Sequence, residues 1–460
     1  MVILIAFIFV LGAAVILHEF GHFIVAKLLG IRVETFSFGF GPRLFGKKWG
    51  DTDYRVSAIP LGGYVKLGGD ESNAPLEGDG AKDIPPEEMF NLRPRWQRVL
   101  VALAGPVMNI LTALAIPLAG ALIYGVPATP SPVVSYVLKG GAAEAAGLQT
   151  GDRITSFNGT DDPRWDSIRG DALLSPGKPL PVTVDRGGQQ VNLSIKPTPR
   201  TEDGETAGSL DFIPDYGGLP VKIRDVTPDS PASEAGLQVG DRIVAVNGEP
   251  VRSAEQVTQY IRDHRGQPIT LKIERSGQPI EVKAQSRQLA DGRDRLGIET
   301  YEEVPFQRAS LTRAGEYAVR TNVEIMRLTG KALGQVFTGQ RSVRNTLSGP
   351  VGIYKAVSTS VQKFGWDGLF QMLAFLSLNL GIFNLLPIPV LDGGAIFLLL
   401  IEGALAIIGL SISTTVRERI QQVGFVVVIL LMVFVITNDV LKTFSRNSSE
   451  DKPPATAPAK

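Results

Sequence analysis

Val15-Ile16-Leu17-His18-Glu19-Phe20-Gly21-His22 decides how this chain is read, because it closes a run, residues 2–17, that carries no charge. Such a run suits a bilayer-spanning helix. On a helix, His18 and His22 fall one turn apart on the same face. Both imidazoles can then reach one zinc ion, with Glu19 beside them to act as a base on water. Ionisable groups at membrane depth are costly and default to function. The chain has only three histidines, so the pairing does not come from a histidine-rich composition.

Outward from that motif, composition sets bounds. The 460 residues hold 46 basic and 46 acidic side chains, so no nucleic-acid footprint is visible and no nucleic-acid partner is expected. There is no cysteine, which excludes disulfides and thiolate metal sites. The start, Met1-Val2-Ile3-Leu4, lacks the basic region of a cleaved signal peptide, so the first apolar segment is expected to stay as a span.

Four membrane helices are expected. The predicted organisation is residues 1–29 as the first span, 30–98 as a loop with a small β-element, 99–125 as the second span, 127–215 and 216–305 as two soluble domains, 306–369 as an amphipathic linker, 370–410 as the third span, and 411–460 as the fourth span and tail. Within the loop, Val33-Glu34-Thr35-Phe36-Ser37-Phe38 alternates as a strand does, and Ile59 to Leu67 reads as another. Residues 70–90 read as an acidic, proline-containing loop. The third tract is interrupted by Pro387, Pro389, Gly393 and Gly394, with Asp392 at the break. Broken backbone at membrane depth is tolerated only where protein or a cavity surrounds it.

The polar middle contains a repeat. Residues 146–159 (AGLQTGDRITSFNG) recur as 235–248 (AGLQVGDRIVAVNG), with ten of 14 positions identical at an offset of 89. That period is a domain, not a solenoid unit. Each copy resembles a PDZ domain, an α+β module that binds extended peptides at a sheet edge. His264, in the second copy, reads as a surface residue rather than a ligand.

Lys27, Arg32, Arg93, Arg95, Arg98, Arg417 and Arg419 flank the spans on one side. The positive-inside rule makes that side cytoplasmic, with the repeat outside. His18 lies roughly 24 Å along a helix that starts at the outer face, so the motif falls in the cytoplasmic half. Zinc hydrolases commonly use three protein ligands and leave one position open. Asp392, a carboxylate in an otherwise apolar tract, is the best third ligand. Asn384 can donate to a substrate backbone or an oxyanion, or pack between helices. Asn109 reads as a packing or bracing residue. Glu402 has no evident partner and is given no role.

Together, the histidine motif, Gly105-Pro106-x-x-Asn109, the repeat, Phe38-Gly39-Phe40-Gly41, Pro60-Leu61-Gly62-Gly63-Tyr64, and Asn384-x-x-Pro387-x-Pro389-x-Leu391-Asp392-Gly393 resemble the site-2 protease family, peptidase M50. The resemblance covers nearly the whole chain. It implies that His18, His22 and Asp392 bind zinc and that Glu19 is the general base. It implies that Asn384 holds substrate, and that Gly62, Gly63, Tyr64 and Val65 belong to a membrane-reentrant β-element that pairs with it. It further implies an inner-membrane enzyme of the bacterial stress response, with periplasmic PDZ domains. Its substrates would be single-span membrane proteins such as anti-sigma factors, and remnant signal peptides, after a first cut by a site-1-type protease. One departure is Ala395, where relatives carry histidine; it leaves the ligand set intact. The competing readings are a non-enzymatic membrane scaffold, which would not need Glu19, and a zinc-regulated transporter, for which no inverted repeat is visible.

Overall fold

The computed structural model describes residues 2–70, 84–202, 205–215, 219–288, 294–343, 349–410 and 412–450. Residues 71–83, most of the predicted acidic loop, and the tail at 451–460 lie outside the described residues. The chain divides into two compact units, residues 1–123 with 309–460, and residues 124–308.

The first unit carries the long helices. They are α1 (Val2–Leu28), α2 (Arg95–Ile123), α3 (Leu311–Phe337), α4 (Pro350–Asn384), α5 (Asp392–Ile407) and α6 (Thr414–Glu450). Among the described residues, four helices are long and apolar enough to cross a membrane: α1, α2, α4 and, within α6, Arg419–Asp439. On α6, Val423, Phe425, Val426, Val427 and Leu430 are exposed, as a lipid-facing surface requires.

The third span differs from its sequence reading. The sequence reads 370–410 as an interrupted span and 306–369 as an amphipathic or linker region. The structure has a helix on each side of the interruption, and the amphipathic α3 and the start of α4 occupy most of 306–369. Gly365 breaks α4 at φ 59°. A Cβ on Gly368 would lie 2.2 Å from the Ser360 carbonyl oxygen, so the piece before the break folds back against residues 366–384. Val357, Leu369 and Leu373 then share one core with Phe7 and Val10 of α1.

Between α1 and α2 lies a hairpin, β1 (Val33–Trp49) and β2 (Thr52–Leu67). Both strands bend, so the register makes four runs in the order 43–49, 52–57, 35–38, 63–67. Residues 33–40 alternate between buried and half-buried, which is the period read from the sequence. Among the described residues, 63–67 form an edge, paired on one side only.

The second unit contains the repeat as two six-stranded sheets of the same strand order. The first runs 212–215, 131–137, 153–157, 180–186, 189–195, with 160–161 beside 153–157; the second runs 298–302, 221–226, 242–246, 268–275, 278–285, with 249–250 beside 242–246. The repeated motif does the same work twice. Asn158-Gly159 and Asn247-Gly248 take positive φ at both positions, the backbone of a tight hairpin turn. Asp152 accepts from Arg186 through two bonds of 2.7 Å, and Asp241 accepts from Arg275 through two of the same length. The helix at residues 142–145 differs from its counterpart at 231–234. The Ala142 amide donates to Asp211, the residue just before the closing strand, at 3.1 Å. In the second copy Ser230 caps its own helix by accepting from Ser233. The position facing Asp211 is Gly141, and the position facing Ser230 is Gly297.

Candidate metal centre and active site

Three helices and a turn bring the site together. Gly21 lets α1 meet α2 at van der Waals contact, since a Cβ there would lie 2.2 Å from the Ala104 carbonyl oxygen. Gly105 admits the imidazoles, because its Cβ would lie 2.3 Å from His22 Nε2 and 2.8 Å from His18 Cε1. Asp392 opens α5, after a turn in which Val390 holds φ 87°. Such a φ is an outlier for a β-branched residue and clusters at functional sites. Gly393 and Gly394 let that turn close, since a Cβ on either would strike the backbone of Leu385 or Ile388. Gly424 lets α6 pack onto the same turn at Pro389.

His18 Nε2 lies 3.1 Å from Asp392 Oδ2, His22 Nε2 lies 3.5 Å from Asp392 Oδ1, and the two Nε2 atoms are 3.3 Å apart. Donor atoms about 2.0–2.1 Å from a tetrahedral zinc stand about 3.3 Å from one another. Those separations therefore fit zinc, and two imidazoles with one carboxylate are a zinc donor set. Among the described residues this is the one cluster of three or more such side chains able to hold a metal ion. The second nitrogen of His22, Nδ1, lies 2.7 Å from the Val101 carbonyl. That bond protonates Nδ1 and frees Nε2 for metal.

The other expected residues surround this centre. Glu19 follows His18 on α1. Gly63 comes within 3.5 Å of Glu19 Cγ, measured from the Cβ it lacks. The edge run 63–67 therefore lies directly against Glu19. Asn384, the last residue of α4, puts Nδ2 3.3 Å from His18 Nε2. Asn109 is fully buried beside His18. Ala395 is exposed. Glu402, which the sequence left without a partner, pairs with Arg417 of α6. His264 Nδ1 donates to the Tyr260 carbonyl, 2.9 Å away, and the ring stacks on that of Tyr260. Sequence reasoning missed Val101 and the steric role of Gly105. A backbone carbonyl leaves no mark in a side-chain pattern, and a glycine in an apolar helix reads as packing.

A cluster able to hold a metal ion inside apolar helices, with a carboxylate beside it, is the arrangement of a membrane-embedded metalloprotease. The sequence profile of peptidase family M50 matches residues 6–431, and the chain belongs to that family. It is similar to the regulator of sigma-E protease RseP of Escherichia coli, 32% identical over 456 residues covering 94% of this chain and 97% of that one. It is also similar to the protease RseP of Yersinia pestis, 33% identical over 457 residues covering 94% and 97%. The PDZ domain of an SdrC-like protein from Listeria monocytogenes overlays 17% of this chain and 85% of its own, at 21% identity and a TM-score of 0.16.

Proposed function

We propose that this chain is a zinc intramembrane endopeptidase that cuts single-span membrane proteins, of the anti-sigma-factor and remnant-signal-peptide kind, after a first protease has removed their outer parts. The observation that carries the reading is the edge run 63–67 lying against Glu19, beside the three donor atoms of His18, His22 and Asp392. An enzyme of this kind must both activate water and hold a substrate backbone extended. Glu19 and a strand edge that is unpaired among the described residues lie together here.

Zinc, when held by His18, His22 and Asp392, supplies Lewis-acid polarisation of water and of the scissile carbonyl. Glu19 takes the proton of the attacking water on a carboxylate oxygen and returns it to the leaving amine nitrogen. Asn384 donates from Nδ2 to the carbonyl oxygen as negative charge grows there. A helical substrate hides its scissile carbonyl in its own hydrogen bonds. Gly62, Gly63, Tyr64 and Val65 offer the strand edge that replaces those bonds once the helix unwinds.

The two repeated modules act as PDZ domains on the periplasmic side, with the active site in the cytoplasmic half of the inner membrane. Arg93, Arg95, Arg98, Arg417 and Arg419 support this orientation. The modules would select which substrates reach the site rather than take part in the chemistry. The test is purified enzyme in detergent with a single-span substrate lacking its outer domain. Cleavage that stops on chelation and returns with zinc is expected; cleavage indifferent to chelation would sink the proposal.

A further inference from the structure

An imidazole that binds metal through Nε2 keeps its proton on Nδ1, and that N–H needs an acceptor. His22 has one in the Val101 carbonyl. His18 Nδ1 faces instead the Nδ2 of Asn109, at 3.2 Å. With His18 on the metal through Nε2, both of those nitrogens are donors and no hydrogen bond can form between them. Asn109 is 0% exposed, and its Oδ1 is buried with no hydrogen-bond partner. Rotating the amide by half a turn exchanges its two ends at no steric cost. The exchange gives His18 Nδ1–H an acceptor and Oδ1 a donor in one step. Nδ2 would then turn into the interior, where α4 comes close: Gly381 approaches Asn109. One turn earlier Ser377 is 0% exposed, with an unpartnered Oγ.

We infer that Asn109 presents Oδ1 to His18 Nδ1–H and so fixes His18 with Nε2 toward the metal. Asn109 is then a positioning residue for the metal centre. This rests on the reading of His18, His22 and Asp392 as the zinc ligands. Both histidines are held by α2, one through a backbone carbonyl and one through a side-chain amide. Only the second can be removed by mutation.

The experiment compares Asn109→Asp with Asn109→Leu in the full chain, and reads zinc affinity by competition with a chromophoric chelator. Aspartate keeps an acceptor and has no donor; leucine has neither. Asn109→Leu is expected to bind zinc about 10- to 100-fold more weakly, and Asn109→Asp as tightly as the unaltered chain or more so. Asn109→Ala serves in place of leucine if that variant fails to fold, with thermal unfolding of the zinc-free protein as the control. Loss of affinity in Asn109→Asp equal to that in the apolar variants would show Asn109 to be a donor and overturn the inference, as would full affinity in the apolar variants. His18→Ala separates the two levels: zinc retained there overturns the ligand set itself.

Discussion

His22 Nδ1 lies 2.7 Å from the Val101 carbonyl, and that bond determines which imidazole nitrogen faces Asp392. The acceptor is a helix carbonyl four residues before Gly105. The glycine that makes room for the ring and the carbonyl that orients it therefore sit one turn apart on α2. The register of α1 against α2 is itself part of the metal centre.

The ligand set makes a direct prediction. Zinc near one equivalent per chain is expected in the unaltered protein, and His18→Ala, His22→Ala and Asp392→Ala should each lose most of it by atomic absorption. Full retention in Asp392→Ala would remove Asp392 from the set.

Glu19→Gln keeps the shape of the side chain and removes the base. Cleavage should fall by at least about a hundredfold while zinc content stays near one. Near-normal cleavage of a single-span substrate would leave Glu19 without its role, as the scaffold reading requires.

Gly105→Ala should act against helix propensity. Alanine is the better helix former by about 1 kcal/mol, yet its Cβ would fall 2.3 Å from His22 Nε2. Zinc affinity should drop by at least about tenfold, the scale seen when supporting contacts to a ligand are disturbed. The check is the same chelator competition; unchanged affinity would mean that α1 and α2 can separate freely.

Val65→Pro removes one backbone donor from the edge run and fixes φ there. Turnover should fall strongly with zinc content intact. Spans carrying a helix-breaking Gly or Pro near the cut should be favoured over poly-leucine spans in the unaltered enzyme. Equal cutting of both would make the run 63–67 a structural hairpin only.

Acid should weaken the first repeated module through Asp152. Burial pushes this carboxyl up, but the Arg186 guanidinium and the Gln149 amide outweigh it and hold it below the usual carboxylate range. A carboxylate depressed in the folded state contributes stability that is complete above its unfolded value of about 3.9. The contribution is lost as pH falls through the lower folded value. Hydrogen-exchange protection over residues 131–195 should therefore decline below about pH 4, and Asp152→Asn should show weaker protection at neutral pH with a smaller acid response.

The chemistry of this chain is more legible in sequence than its joints are. His18, Glu19, His22 and Asp392 stand out because charge and imidazole are rare in apolar tracts, and the repeat stands out because its glycines and Asn-Gly turns serve unusual φ values. The end of the third tract was harder to read. Gly365 lies among residues of ordinary helical character, and nothing local marks it as the point where α4 folds back. Glu402 looked unpartnered because Arg417 lies on another helix. Val101 was invisible because any residue type supplies the same carbonyl.

The swap between Asp211 with Gly141, and Ser230 with Gly297, has a consequence for descent. Each copy of the repeat places one side chain in the same small space, but from opposite chain segments. Neither copy can adopt the other's solution by a single substitution: serine at 141 would collide with Asp211, and aspartate at 297 would collide with Ser230. The intermediate with both side chains is overfilled, and the one with neither loses its cap. Each pair can therefore change only together, which makes these two positions of each module a single coupled choice.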